Sequence, residues 1–237
     1  MEALTEGSIE DGSLLPVLRR ASHQDLLEIA KSLDKGADVF LTWDKRYDSA
    51  KDDLTRVPEV IGDYLLRAGG HAVANKWRGR GPGYTEVVKD VCDKVSIKFQ
   101  TPSLNPRAME VMLLRALMDQ ALKGLTDGAK ADLLEKMKQA AGRPVKFDDL
   151  LKGTTLLGLL MPLVFMAIAQ QTLVRGVAAG AGLVLGRLAA GVAGPIGLVA
   201  GTVWLVSDFA GPSYRATIPA VTQVALLRQK FLWADGL

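Results

Sequence analysis

The chain has 237 residues, enough to bury the core of one large domain or two small ones. Its net charge of +3 is too small to indicate a nucleic-acid partner, because such proteins cluster many basic side chains against phosphates. The lone Cys92 excludes an intramolecular disulfide, and with the two distant histidines, His23 and His71, it cannot form a histidine-rich metal site. We therefore expect no metal and no cofactor.

Residues 1–20 are predicted to be a flexible acidic lead-in, without the apolar stretch of a secretory signal peptide. Ser22 and Asp25 resemble a helix N-cap, and the helix they begin is expected to end near Gly36. The charged stretch 37–56 follows, with four hydrophobic side chains as candidate anchors: Phe40, Leu41, Trp43 and Tyr47.

Further helices are predicted from breaker and capping residues. Pro58 suits the first turn of a helix that ends at Gly69. A glycine-rich loop at 78–83 follows, and the next helix is predicted from Pro82. The apolar face of that helix contains Val87, Val88, Val91 and Val95. Asn105 and Pro106 begin another helix, and Thr126 and Asp127 begin the next. Since no stretch alternates with period two, the sequence predicts an all-α fold.

The charged residues are unevenly distributed. Residues 1–150 contain 23 Lys or Arg and 24 Asp or Glu, whereas residues 151–237 contain 6 and 2. This contrast predicts a soluble helical domain at 21–150. It also predicts a hydrophobic helical region at 151–237, which would comprise a glycine-rich hairpin and a C-terminal helix.

The apolar region contains two long uncharged runs. The 22 residues of 153–174 would span about 33 Å as a helix, against about 30 Å for the hydrocarbon core of a bilayer. A second run covers 188–207, and only Arg175 and Arg187 are charged within 153–207. Three glycine pairs have the spacing that lets helix backbones approach closely, namely Gly176 with Gly180, Gly182 with Gly186, and Gly197 with Gly201.

Three placements of this region stay open. It could be the buried centre of a soluble bundle, a fixed two-span membrane anchor, or a hairpin that is buried in water and released at a membrane. The third is our working hypothesis, with membrane lipids as partner and Arg175 and Arg187 reaching anionic headgroups. Association into a homo-oligomer is also left open.

Two local motifs carry a family resemblance. Residues 69–81 read GGHAVANKWRGRG, with Tyr84 following, and residues 211–221 read GPSYRATIPAV, followed by Gln223, Leu227 and Arg228. Together they resemble the YaaW family of uncharacterised bacterial proteins, over about residues 20–100 and 185–230. That family is similar in its N-terminal part to the ubiquinol–cytochrome c chaperone family. The resemblance implies a role in membrane-complex assembly by analogy only, and it supplies no catalytic residues.

The first motif contains a basic cluster without acidic residues. Its polar side chains could bind a phosphate or lipid headgroup, or alternatively pair with carboxylates such as those of Asp63 or Glu86. The residues concerned are Asn75, Lys76, Arg78 and Arg80.

In the second motif, Pro212 and Pro219 flank Tyr214 and Arg215, and the C-terminal helix is expected from about Ile218. Tyr214 and Arg215 are candidate contacts with a lipid headgroup or a protein partner. Tyr214 could lie at a membrane interface or in the core, and both readings stay open. Later in this helix, Arg228 and Lys230 are expected near its C-terminus, where cations are favoured.

No pattern of catalytic residues is recognisable in the sequence. Cys92 lies on an apolar helix face and is expected to be a buried small hydrophobic residue and not a nucleophile. We therefore expect a non-enzymatic protein, cytoplasmic and associated with or inserted into the inner membrane, with membrane-perturbing or pore-type activity left open. The alternative is a soluble chaperone-like assembly factor or protein-binding module.

Overall fold

The computed structural model describes residues 7–36, 41–69, 82–97, 105–123 and 212–236, together with the helical positions 127, 128, 131, 134, 135, 138 and 139. The first basic motif and the apolar interval 153–207, with its three glycine pairs, lie outside the described residues. Within the described ranges the regular structure is helical and no residue is in a strand, so the all-α prediction is confirmed.

Seven α-helices are described, with two 3-10 turns at Leu41–Trp43 and Leu54–Arg56. The α-helices are α1 (Leu14–Arg20), α2 (His23–Gly36), α3 (Lys45–Asp48), α4 (Pro58–Gly69), α5 (Tyr84–Lys94), α6 (Pro106–Lys123) and α7 (Pro212–Ala234).

The helix starts follow the predicted capping residues. At α2, the Asp25 amide donates to Ser22 Oγ and the Ser22 amide donates to Asp25 Oδ2, each at 3.2 Å. At α6, Asn105 Oδ1 accepts from the Ala108 amide at 2.8 Å. Each such cap satisfies amides that the helix itself leaves unpaired, and it contributes about 1 kcal/mol.

Helix α7 lies at the centre of this helical body. Every residue from 216 to 229 is buried, and the helix contacts α1, α2, α4, α5 and α6. Its most extensive contact is with α2. Gln223 Nε2 donates to Ser32 Oγ at 3.1 Å, and Lys230, later in α7, lies 3.9 Å from Asp25, which is earlier in α2. The two helices therefore run antiparallel. The terminal helix therefore belongs to the same body as the N-terminal helices, and the predicted boundary near residue 150 does not separate them.

Two predicted starting points are wrong. Residues 14–20 are not a flexible lead-in, because they form α1 and bury Leu14, Leu15, Val17 and Leu18 in the core. Helix α7 begins at Pro212 and not near Ile218, so Pro219 lies inside it. A proline within a helix removes one amide donor, and α7 tolerates that cost because its surroundings bury it on every side.

Four hydrophobic residues after α2 were predicted to anchor this stretch in the core, and the structure confirms some of them and not others. Leu41 is fully buried and Tyr47 is 8 % exposed, as predicted. Trp43 is 79 % exposed and is not an anchor, because the 3-10 turn that buries Leu41 directs Trp43 to solvent. Phe40 lies outside the described residues.

Candidate functional site

A buried arginine in α7 is the centre of the main polar cluster in the described body. Arg228 Nε donates to Glu110 Oε2 at 2.6 Å, and Nη2 donates to Glu110 Oε1 at 3.0 Å. Nη1 donates to the carbonyls of Ile9 and Ser13 at 2.9 Å each, and Nη2 also donates to the carbonyl of Gly12 at 3.1 Å. These five contacts match the five N–H groups of a guanidinium, so the buried cation is fully hydrogen-bonded.

The carboxylate in this cluster has a third donor. Glu110 comes from α6, and its Oε1 accepts a 2.6 Å hydrogen bond from the hydroxyl of Tyr84, the first residue of α5. Burial and the adjacent Glu110 carboxylate raise the pKa of Tyr84 well above its usual value. The phenol therefore stays protonated and donates throughout the physiological pH range.

The three carbonyls that bind Arg228 come from a tight turn before α1. Asp11 organises this turn by accepting from the amides of Ser8 at 2.9 Å and Ser13 at 2.8 Å. Gly12 has a φ of +93°, and a Cβ at this position would lie 2.8 Å from the Arg107 amide nitrogen. Only glycine fits this backbone conformation and this close approach to α6 without strain.

The geometry gives this cluster a structural role. The side chains of Arg228 and Glu110 are both fully buried, so the pair has no surface from which to reach a solute. It joins α6, α7 and the N-terminal turn, with Tyr84 adding the start of α5. Breaking such a pair leaves a buried charge without a partner, which makes it a strong constraint on how these elements pack.

Sequence reasoning missed this cluster. It placed Arg228 and Lys230 near the C-terminus of the last helix, but the last turn of α7 contains no basic residue, and Arg228 is fully buried. A signal was present, since both Arg228 and Glu110 follow apolar neighbours on a helix and would be buried with them. However, the two residues are 118 positions apart, and nothing in the sequence alone pairs them.

Of the predicted contact residues, Tyr214 and Arg215 are described, at the start of α7. Tyr214 is partly buried and packs against the core, and the Lys94 ammonium lies 5.1 Å from the centre of its ring. Partial burial raises the pKa of Tyr214, and the carboxylates of Asp90 and Asp93 add to this effect. Arg215 is exposed.

The remaining predicted positions lie outside the described residues, so their role as contact or close-packing residues stays a prediction. They are Asn75, Lys76, Arg78, Arg80, Arg175, Gly176, Gly180, Gly182, Gly186, Arg187, Gly197 and Gly201.

Cys92 has the environment that its position in α5 predicts. It is fully buried, and burial, together with the nearby carboxylates of Asp93 and Glu110, raises its pKa to about 12. In the described ranges, no group of three or more His, Cys, Asp or Glu side chains is arranged to hold a metal ion. In the same ranges, no helix combines the length and the apolar character needed to cross a bilayer.

These features define an all-α protein in which a buried terminal helix is tied by an internal ion pair to the helices that surround it. The chain is 29 % identical over 229 residues to a UPF0174 protein of Helicobacter pylori (strain J99 / ATCC 700824), covering 91 % of this chain and 90 % of that protein. It is 32 % identical over 190 residues to a second UPF0174 protein of that strain, covering 75 % and 90 %.

UPF0174 protein YaaW of Escherichia coli O157:H7 is 30 % identical over 179 residues, covering 72 % of this chain and 70 % of YaaW. The chain belongs to the UPF0174 family, which includes YaaW, and the resemblance read from the two motifs is confirmed. The names of these relatives state no activity and do not mention the chaperone family, so that relation stays a prediction. No family model and no solved structure matches the chain.

Proposed function

We propose that the protein is a non-enzymatic, amphitropic helical protein that docks at a membrane and inserts its apolar interval 153–207 into the bilayer. The observation that carries this proposal is the contact between α6 and α7, which precede and follow the interval in the chain. Helices α6 and α7 contact each other and share the buried Glu110–Arg228 pair. The chain between them therefore leaves and rejoins one helical body.

The sequence of the interval supplies the driving force. Ten of the 22 residues in 153–174 are Leu, Ile, Val or Phe. At roughly −0.3 to −0.6 kcal/mol each, they favour insertion by about 3–6 kcal/mol, from which Pro162, Gln170 and Gln171 subtract. The two charges of the interval, Arg175 and Arg187, are both positive and suit anionic headgroups.

The ion pair explains how the body could persist while the interval changes its surroundings. Arg228 has all five of its N–H groups bonded to Glu110 and to the 9–13 turn, which lie outside the interval. Moving the interval into lipid leaves these contacts in place. Insertion then requires no separation of α6 from α7, so the free energy of insertion is not reduced by the cost of breaking their contacts.

The test uses the full chain and vesicles of phosphatidylcholine with about a third phosphatidylglycerol. We expect co-sedimentation with these vesicles, weaker binding to pure phosphatidylcholine, and loss of binding in Leu160→Asp. The matched control is Thr85→Asp, which adds the same charge at an exposed position in the first turn of α5 and is expected to bind normally. Leakage of an encapsulated dye separates membrane perturbation from docking, with Gly180→Leu and Gly197→Leu testing the close-packing glycines.

The result that overturns this proposal is a wild-type chain that binds neither vesicle composition at any pH. Retention of a specific soluble partner by such a chain, lost on charge reversal at Arg78 or Arg80, would instead favour the chaperone-like assembly factor.

A further inference from the structure

The start of α7 is the part of the helical body that the chain holds closest to the apolar interval. Only residues 208–211 separate the end of the second uncharged run, at Ser207, from Pro212, where α7 begins. A chain advances at most about 3.6 Å per residue, so the start of α7 lies within about 20 Å of the end of that run. From there α7 extends about 34 Å to Ala234. We call the start of α7 and the elements beside it the near end of the body.

The last turn of α5 lies at the near end. The exposed Lys94 ammonium is 5.1 Å from the centre of the Tyr214 ring, in the first turn of α7. At the other end of α5, the Tyr84 hydroxyl bonds to Glu110, the partner of Arg228 in the second half of α7. Helix α5 therefore runs antiparallel to α7 and ends beside its start.

The last turn of α2 lies toward the same end, because α2 is also antiparallel to α7. In that turn, Asp34 Oδ1 accepts from the Leu41 amide at 3.0 Å and holds the 3-10 turn Leu41–Trp43 at the end of α2. The turn buries Leu41 and directs Trp43 outward, with 79 % of its surface exposed. Among the described side chains, Trp43 is the one large hydrophobic residue that is exposed.

The near end therefore combines aromatic rings with a long cationic side chain. Trp and Tyr are enriched at the level of lipid headgroups, because each has an apolar ring and a polar group. A lysine such as Lys94 can bury its stem there and keep its ammonium at the anionic headgroups. The carboxylates of Asp90 and Asp93 also lie close to Tyr214 and offset part of this charge. The aromatic side chains must then supply much of the affinity.

The opposite end of the body is closed by contacts within the chain. Arg20 of α1 lies over the Phe231 ring, 4.7 Å from its centre, and its Nη2 donates to Asp235 Oδ1 at 2.8 Å. Phe231 is buried. The aromatic ring at this end is therefore covered by the protein itself, whereas the Trp43 side chain at the near end is exposed to solvent.

We propose that the near end, with Trp43, Lys94 and Tyr214, is the surface that rests on the anionic headgroups of a phospholipid bilayer, while the end with Arg20 and Asp235 faces away from it. This inference rests on the proposed insertion of the interval 153–207 and adds the orientation of the body on the membrane. Docking by this end places the start of α7 where the chain leaves the lipid. The short connection 208–211 then has no need to extend along the body.

The test uses a fluorophore at single introduced cysteines in the full chain, because Cys92 is buried, has a pKa of about 12 and is not expected to react with a maleimide. Arg215→Cys and Lys230→Cys are a matched pair: each removes one exposed cation from α7, and the positions are about 22 Å apart along the helix. Thr42→Cys and Thr85→Cys, both at exposed positions, report on the turn beside Trp43 and on the start of α5. Quenching is measured on vesicles of phosphatidylcholine and phosphatidylglycerol that contain a headgroup spin-labelled lipid.

In chains that co-sediment with the vesicles, we expect the labels at 42 and 215 to be quenched several times more strongly than those at 85 and 230. We also expect Trp43→Ala to bind about tenfold more weakly, which corresponds to roughly 60 Å² of apolar ring surface no longer buried at the interface. Thr85→Ala, the control for removing an exposed side chain, is expected to bind normally.

The outcomes separate this inference from the proposed function. Equal quenching at 215 and 230, or stronger quenching at 230, in chains that bind vesicles overturns the orientation and leaves the proposed insertion standing. Unchanged affinity in Trp43→Ala also overturns the role of the near end. A wild-type chain that binds no vesicles overturns the proposed function and this inference with it.

Discussion

Replacing Arg228 by methionine keeps most of the apolar length of the side chain and removes the guanidinium. Five hydrogen bonds are lost, two to Glu110 and three to carbonyls of the 9–13 turn. Glu110 then keeps only the bond from Tyr84 and becomes a fully buried carboxylate without a cation. Leaving such a charge unpaired costs about 3–5 kcal/mol of the free energy of unfolding.

That loss is a large part of the stability of an ordinary domain, which is about 5–15 kcal/mol. For a chain of this length each kcal/mol changes Tm by about 2–4 °C, so Arg228→Met is expected to lower Tm by roughly 6–20 °C. Glu110→Gln is expected to cost a similar amount, because it leaves the cation without its carboxylate. The double variant removes both charges and is expected to cost less than the sum of the single variants, by about 1–3 kcal/mol.

The measurement is urea unfolding at pH 7, followed by circular dichroism at 222 nm. Lys230→Met is the matched control on the same helix, because Lys230 is exposed and its ammonium lies 3.9 Å from a carboxylate oxygen of Asp25. Its removal is expected to cost less than about 1 kcal/mol. Equal costs for Arg228→Met and Lys230→Met would refute the reasoning, as would strict additivity in the double variant.

Three smaller predictions follow from the same structure. Cys92, buried and with its pKa raised to about 12, is expected to resist a thiol reagent such as DTNB at pH 8 until the protein unfolds; rapid labelling of the folded chain would contradict this. Gly12→Ala is expected to cost about 1–3 kcal/mol, and more than Gly236→Ala, where φ is also positive but no atom lies within 4 Å of the added Cβ. Because the Arg46 side chain holds the pKa of Asp44 at about 2, Asp44→Asn is expected to destabilise the protein at pH 5 by less than about 1 kcal/mol; the difference from wild type decreases as pH falls through 2 and disappears below it.

The helix boundaries show which parts of the fold can be predicted from neighbouring residues in the sequence. The start of α2 at Ser22–Asp25 and the start of α6 at Asn105 were predictable because a capping side chain bonds to amides three residues away. The start of α7 was not predictable in this way, since Pro219 is typical of a helix boundary. Only the burial of the whole helix offsets the free-energy cost of a proline inside it. The prediction that Trp43 is an anchor was wrong for a related reason, because the local sequence does not show which side of a short turn faces the core.

The candidate site was the least predictable part. Tyr214 and Arg215 were named from a family motif, yet the strongest polar contacts in the described body belong to Arg228, Glu110 and Tyr84. Each of these residues could be recognised singly as a polar side chain on an apolar helix. Their common position arises only when α5, α6 and α7 pack together, because the free energy of a buried charge depends on which partner lies within hydrogen-bond distance.

Sequence alone determined that this protein is helical, approximately where α2, α4, α5 and α6 begin, and to which family it belongs. These properties depend on periodicity, caps and motifs, which act between residues close together in the chain. The tertiary structure alone decided that the last helix lies at the centre, that the segment before α1 is held by Arg228, and that α6 and α7 share one ion pair. Those outcomes depend on contacts between residues more than a hundred positions apart, and such contacts exist only once the chain has closed on itself.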